Sequence, residues 1–369
     1  MDPKLNLEGL RERMRGLHPL LKPASILWAL VFVVVAIALA QVRADGLLVI
    51  DDDSFALIEA IALAGLTLSV AREYLLRPLD ALANSEDLKT SVLGRAIPVM
   101  RDILLLVALV AATTLTLELP WNTNLSEVDP SLIGLERSVV TIVLVGAYFV
   151  GHRRGAVLAL AAAGLDALGI AQGFMLVLKG TAILPSDLMA LGTAAAVGGS
   201  FTYEATPQIA QGIVALVASL VACMLMRPSG KSPVRPWLRA AVTAVVAVCC
   251  VWSGVNAYNT CDIRETYGTS IDYWWPVNSY YAQGFVPTFL TMAQDMKISV
   301  PEGYTDEEAA ATEASLAQAY DASCDPAATE ARQAQFASEK PSVVVVMNET
   351  FSDLSSIYGD LGVGYEGPG

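Results

Sequence analysis

Long apolar runs separated by short polar segments make up most of the first 258 residues. A helix needs about 20 apolar residues to cross the hydrocarbon layer of a membrane. Seven runs reach or approach that length, and they are 26–42, 55–71, 103–119, 138–150, 156–178, 209–226 and 238–258. The pattern therefore predicts a polytopic α-helical membrane domain at 24–258, preceded by a polar, basic cytoplasmic tail at 1–23.

A further, moderately apolar stretch lies at 184–199, between the fifth and sixth runs. It is short and contains Asp187, and Ser186 or Asp187 after Pro185 is typical of a helix N-cap. We predict an interfacial or re-entrant helix on the outer face of the membrane. An eighth span here would move the basic loop 227–239 outside, against the charge rule that follows.

Lysines and arginines are concentrated in alternate loops. Short cytoplasmic loops of membrane proteins carry an excess of these residues. With the N-terminus inside, 16 of the 23 lysines and arginines lie inside, in segments 4–22, 72–101, 153–154 and 227–239. The acidic run 51–53 then lies outside. The charge pattern predicts an N-in, C-out topology, so that everything after the seventh run is extracellular.

Composition agrees with a multi-pass protein of the cell membrane. Hydrophobic residues make up 54% of the 369 residues and charged residues only 16%, whereas soluble domains carry about 25% charged residues. A formal net charge of −14 gives no indication of nucleic-acid binding. Five cysteines in a chain of this length do not form a disulfide framework. Cys261 and Cys324 fall in the predicted exterior and are candidates to pair.

The chain changes character after the last apolar run, and we assign 259–340 to an extracellular juxtamembrane segment and linker. Its first part is aromatic, with Trp274 and Trp275, and such residues favour the headgroup region of a membrane. The alternative is an ordinary aromatic piece of a protein core. The acidic, alanine-rich stretch 305–337 predicts a solvated helix, or a pair of helices interrupted at 325–326.

Asp166 lies near the middle of the fifth apolar run. An ionisable residue at that depth costs about 2.5–3.5 kcal/mol on insertion scales. One interpretation is contact with a lipid headgroup or an ion pathway. The other is a protonated or hydrogen-bonded residue between helices, which is favoured because no charged partner is found at equal depth.

A short β-branched run, Val343–Met347, follows Pro341 and ends in polar residues. This pattern predicts a strand buried on both faces. Functional groups of open α/β sheets lie just outside the carboxyl ends of the strands, so Glu349 is a candidate metal ligand. The alternative is that Glu349 only caps a turn. We assign 341–369 to the start of a second, incomplete domain.

Two segments resemble one known family. The run PSVVVVMNETFSDL at 341–354 is similar to the opening of the extracellular domain of the lipoteichoic acid synthase family. These are membrane phosphoglycerol transferases of the sulfatase and alkaline phosphatase superfamily. The run LKGTAILPSDLMALGTAAAVGGSF resembles a stretch that follows a membrane helix in the same family. The resemblance implies an α/β alkaline phosphatase-like extracellular domain, of which this chain carries only the first strand, and assigns Glu349 to a catalytic divalent metal, usually manganese.

The family's reaction defines what to expect of the full-length protein. A metal-activated threonine takes glycerophosphate from phosphatidylglycerol and passes it to a lipoteichoic-acid-type polymer, a glycolipid or another envelope acceptor. Thr350 is not that threonine, which we expect after Gly369. The histidines of the chain, His18 and His152, fall on the predicted cytoplasmic side. We therefore expect the chain alone to be a truncated, inactive part of the enzyme.

Two alternatives remain open. The first is a phosphoethanolamine transferase or sulfatase of the same superfamily, with the same first metal ligand and another substrate. The second is a membrane protein without catalysis, such as a transporter. Against a transporter, the apolar runs show no pair of Gly- or Pro-broken helices in matching halves.

Overall fold

The protein is a predominantly helical membrane protein. The structure, a computed structural model, describes residues 22–83, 85, 92–190, 192, 198–226, 236–297, 300 and 303–338. Within these ranges, seven helices are long and apolar enough to cross a membrane. They are α1 (Pro23–Ala44), α2 (Asp52–Ala83), α3 (Val92–Glu118), α4 (Pro130–Val150), α5 (Gly155–Lys179), α6 (Pro207–Leu225) and α7 (Pro236–Thr260). The polytopic helical domain predicted from the seven apolar runs is confirmed.

The two ends of the helix bundle differ in chemistry. At one end, β1 (Leu48–Val49) pairs in parallel with β2 (Tyr203–Glu204), and we call this the sheet end. At the opposite end, Arg72 donates to the carbonyls that close α6, and Arg101 and Arg153 pair with Asp102. We call that the arginine end.

Large apolar side chains cover the outside of the seven helices. Leu104, Leu160 and Val251, for example, are strongly exposed. Soluble monomers rarely expose contiguous apolar surface on this scale, whereas lipid tails solvate it. The surface therefore agrees with the length and hydropathy of the helices.

Helix α5 lies against α3 and α6 at very short range. A Cβ added at Gly155 would overlap the carbonyl oxygen of Cys223 on α6, and one added at Gly169 would overlap the carbonyl oxygen of Thr116 on α3. Small residues allow membrane helices to bring their backbones into contact. Gly155 therefore allows close packing of α5 on the last turn of α6, and Gly169 allows it on the last turn of α3.

Three short helices cover the sheet end: α8 (Ile263–Tyr267), α9 (Pro276–Gln283) and α10 (Phe285–Asp295). Tyr280 is fully buried, and its hydroxyl donates to the carbonyl oxygen of Ile183 at 2.6 Å. Burial, with the charge of Asp187, raises the pKa of Tyr280, so the hydroxyl stays a donor. Trp274 is 91% exposed and Trp275 69%. The core interpretation therefore holds for Tyr280, and the headgroup location of Trp274 and Trp275 stays a prediction.

The predicted helix at 184–199 is only partly covered by the described residues. They show 3₁₀ turns at Pro185–Ala190 and Gly198–Ser200. The N-cap prediction for Ser186 or Asp187 is wrong, because both lie inside the first turn. Asp187, the third residue of the turn, instead accepts from the backbone N–H of Leu184 at 2.8 Å. The acidic residue at the third helical position of a capping box makes the same bond.

A second compact unit contains α11 (Asp306–Ser323) and α12 (Pro326–Ser338). Thr305 caps α11 by accepting from the N–H of Glu308 at 3.2 Å. The two helices contact each other through an ion pair between Arg332 and Asp321 at 2.7 Å. The helix pair predicted for this acidic stretch, with its break before Pro326, is present.

Candidate functional site

Glu349, the predicted metal ligand, lies outside the described part of the chain. The predicted strand Val343–Met347 and Thr350 lie outside it as well. His18 also lies outside it, whereas His152 is in the turn between α4 and α5 at the arginine end. Within the described residues, no group of three or more histidines, cysteines or carboxylates is arranged to hold a metal ion. Cys223, Cys249 and Cys250 are free thiols, whereas Cys261 and Cys324 belong to different compact units and their pairing stays a prediction.

The most unusual polar arrangement in the described residues is a pair of buried glutamates at the sheet end. Glu118 is the last residue of α3, and Glu136 lies in the second turn of α4. Neither exposes more than 1% of its surface. Their carboxyl groups are neighbours around Gly284, close enough for the charge of one to act on the other. We call these two residues the glutamate pair.

The glutamate pair binds the N-terminus of α10. The N–H of Phe285 donates to Glu118 Oε1 at 2.6 Å, and the N–H of Val286 donates to Glu136 Oε2 at 3.2 Å. The first N–H groups of a helix lack partners within the helix and carry a partial positive charge. Two carboxyl groups from the bundle therefore supply the N-terminal capping of α10.

Gly284 makes this approach possible. Its φ of +85° and ψ of 172° fall in a region that is essentially restricted to glycine. A Cβ here would lie 3.2 Å from Glu118 Oε1 and 3.5 Å from Glu136 Oε2. Both the backbone conformation and the space therefore require glycine.

The two glutamates differ in how their remaining oxygens are bonded. Glu118 Oε2 accepts from the Asn122 side-chain amide at 2.7 Å. Glu136 Oε1 is buried and has no hydrogen-bond partner among the described residues. Like charges in contact inside a protein are strongly unfavourable. We therefore expect the pair to share one proton, and the unpartnered oxygen of Glu136 is the place for it.

In the sequence, the two glutamates are marked only by their positions at the edges of two apolar runs. Glu118 stands at the end of the third run, and Glu136 stands just before the predicted start of the fourth. A single acidic residue at the edge of an apolar run does not predict a buried contact. Their contact becomes visible only when α3 and α4 are placed side by side with α10 above them.

Asp166 is the predicted site residue that the structure does describe. It is fully buried on α5, and its carboxyl group faces the hydroxyls of Thr113 on α3 and Ser219 on α6. No ion pair among the described residues includes Asp166. Both carboxyl oxygens lack a hydrogen-bond partner.

The arginine end contains a separate set of ion pairs. Asp102 accepts from Arg153 at 2.7 Å and from Arg101 at 2.7 Å, and the hydroxyl of Tyr148 donates to it at 2.7 Å. Arg153 and its neighbour His152 both have positive φ values. The contacts of Arg153 hold this turn in place and connect α3 to α4.

Comparisons with known proteins do not extend this picture. No family model matches the chain, and neither a curated protein nor a solved structure matches it.

Proposed function

We propose that this chain is the membrane part of a metal-dependent phosphoglycerol transferase. The full-length enzyme transfers glycerophosphate from phosphatidylglycerol to a lipoteichoic-acid-type or other envelope acceptor. The observation that carries the proposal is the run at 341–354, with Glu349 three residues after the last of four valines. Its similarity to the lipoteichoic acid synthase family is reinforced by the second similar stretch, at 178–201.

The proposed orientation places the arginine end in the cytoplasm and the sheet end outside. Arg72, Arg101 and Arg153 gather at one end of the bundle. Asp51, Asp52 and Asp53 are exposed beside β1 at the other. This separation of charge agrees with the excess of basic residues in cytoplasmic loops. The segment after α7 then leaves the membrane on the outer side.

The glutamate pair fixes the segment that follows α7 to the helix bundle. It holds the first turn of α10, and α10 ends at Asp295, close to the end of the first compact unit at Lys297. A catalytic portion that follows in sequence would begin from a segment fixed to α3 and α4. This arrangement suits an enzyme whose donor is a phospholipid headgroup at the same surface.

In the proposed reaction Glu349 supplies one carboxylate to a divalent metal, which we expect to be manganese. Such a metal lowers the pKa of a hydroxyl nucleophile and neutralises the charge that develops on the phosphoryl group. Carboxylate oxygen is among the ligands that manganese prefers. The nucleophilic threonine and the other ligands are expected after Gly369.

The test is phospholipid turnover by a protein that extends beyond Gly369. We expect manganese-dependent release of diacylglycerol from phosphatidylglycerol, at least a hundredfold weaker in Glu349→Gln because a metal ligand is lost. Glu313→Gln, on the exposed surface of α11, is the matched control and should leave turnover unchanged. Turnover of phosphatidylethanolamine or a sulfate ester instead would assign the chain to another branch of the superfamily. Absence of any turnover would favour a non-catalytic membrane protein.

A further inference from the structure

Three buried oxygen-bearing side chains meet between α3, α5 and α6. They are Thr113, Asp166 and Ser219, none of which exposes more than 2% of its surface. The carboxyl group of Asp166 is directed at both hydroxyls. We call these three residues the oxygen cluster.

All four side-chain oxygens of the oxygen cluster are without hydrogen-bond partners among the described residues. Other buried hydroxyls of the spans behave differently. Thr114 donates to the carbonyl of Val110 at 2.8 Å, and Thr116 donates to that of Ala112 at 2.9 Å. Hydroxyls in membrane helices normally make such bonds to the preceding turn. The hydroxyls of Thr113 and Ser219 instead face the Asp166 carboxyl group without completing a hydrogen bond to it, so both oxygens can take a ligand.

The chemistry of the oxygen cluster selects a cation. It offers one carboxylate and two hydroxyl oxygens and no nitrogen donor, and hard oxygen ligands suit metal cations of the first two groups. A single carboxylate carries one negative charge, which one monovalent cation neutralises. An isolated buried carboxylate is strongly unfavourable without such a partner.

The surrounding packing restricts the size of that cation. Gly169, one turn after Asp166, brings α5 into backbone contact with Thr116 and Leu117 of α3. Gly212 on α6 packs against the side chains of Pro120 and Ile170, although less closely. These contacts lie within one to two turns of the oxygen cluster, and close packing of this kind favours a small ion over a lipid headgroup.

We propose that the oxygen cluster binds a dehydrated sodium ion, with Asp166 as the charged ligand and Thr113 and Ser219 as neutral ones. The ion connects α3, α5 and α6 where their backbones meet. Its binding stabilises the bundle because it occurs only when the three helices are assembled. This site is independent of phospholipid turnover and of the transferase proposal.

The test is the melting temperature of the full 369-residue chain in detergent, with sodium titrated against choline at constant ionic strength and fixed pH. We expect a saturable rise of about 5 °C with sodium, and a smaller rise with potassium. Asp166→Asn should remove the sodium dependence. Thr114→Val, a buried threonine bonded within its own helix, should retain it.

Two further variants keep the test decisive if Asp166→Asn does not fold. Thr113→Val and Ser219→Ala each remove one neutral ligand and should raise the sodium concentration at half-saturation by about tenfold. A melting temperature that is equal in sodium and choline would overturn the proposal. So would a melting temperature that responds only to pH, because Asp166 would then bind a proton. Retention of the full sodium effect in Asp166→Asn would overturn it as well.

Discussion

At the scale of single residues, the position that distinguishes the glutamate pair is Glu136 Oε1. Every other oxygen of the pair accepts a hydrogen bond, two from the start of α10 and one from Asn122. A protonated carboxyl group needs one oxygen that does not have to accept. The asymmetry of the hydrogen bonds therefore assigns different roles to two residues of the same type.

This asymmetry predicts opposite outcomes for two matched substitutions. Glu136→Gln imitates the protonated acid, because its amide oxygen can accept from Val286 while its NH₂ group takes the unpartnered position. We expect its unfolding free energy to stay within about 0.5 kcal/mol of the parent protein. Glu118→Gln must aim an NH₂ group at Phe285 N–H or at the Asn122 amide, and a buried polar group without its partner costs about 1–3 kcal/mol.

Unfolding of both variants in the same detergent, followed by circular dichroism, measures the difference. Glu127→Gln, at an exposed position in the loop between α3 and α4, serves as the control for a glutamate without these contacts. Equal destabilisation by Glu118→Gln and Glu136→Gln would show that the proton is not held at Glu136.

At the scale of elements, the start of α4 shows what hydropathy alone misses. The apolar run begins at residue 138, whereas the helix begins at Pro130. Asp129 caps it, accepting from the N–H of Ser131 at 2.7 Å, and Pro130 occupies the first helical position. Capping and backbone hydrogen bonds set the start of α4. Glu136 lowers the hydropathy of its first turns, although it is buried against α10. By contrast, α11 and α12 were predictable because Thr305 and Pro326 are local signals.

The Asp129 cap predicts a defined acid sensitivity of α4. Hydrogen bonds from Ser131 lower the pKa of Asp129 in the folded protein. A group whose folded pKa lies below its unfolded value stabilises the fold above the unfolded pKa and loses that contribution as pH falls through the folded pKa. We expect the cap to contribute fully above about pH 5 and to be lost progressively below the usual aspartate range.

The measurement compares melting temperature against pH for the parent protein and for Asp129→Asn. Asparagine caps helices about as well as ionised aspartate but does not titrate. The two curves should therefore nearly coincide above about pH 5 and separate as the pH is lowered, because only the parent protein loses its cap. Glu313→Gln, at an exposed position of α11, controls for removal of a carboxylate elsewhere. Parallel curves for the parent and Asp129→Asn would contradict the assignment.

At the scale of the whole molecule, the sequence predicted the number of spans and the sharp change of character after the last one. It did not predict the contacts that join them. Glu118, Glu136 and Gly284 are far apart along the chain, and Thr113, Asp166 and Ser219 equally so. Hydropathy responds to the average environment of a segment, whereas these contacts depend on which helix faces which. Contacts between residues far apart in the sequence therefore follow only from the three-dimensional structure.

The orientation of the bundle makes a prediction that two positions flanking one helix can test. Ser126 is exposed before α4 at the sheet end, and His152 is exposed after α4 at the arginine end. If basic residues remain in the cytoplasm, Ser126→Cys should react with a membrane-impermeant maleimide in intact cells. His152→Cys should react only after the cells are permeabilised.

Both variants are made in a background whose five native cysteines are replaced by alanine or serine, and that background is the unlabelled control. Because only α4 separates the two positions, opposite labelling also verifies that α4 crosses the membrane despite Glu136 and Arg137 in its second and third turns. Labelling of His152→Cys alone in intact cells would show that the bundle has the opposite orientation, with the segment after α7 in the cytoplasm. Phosphatidylglycerol in the outer leaflet would then be out of reach, and the transferase proposal would fail with the orientation. Labelling of both positions in intact cells would show that α4 does not cross the membrane. The glutamate pair would still describe the contact of α3 and α4 with α10.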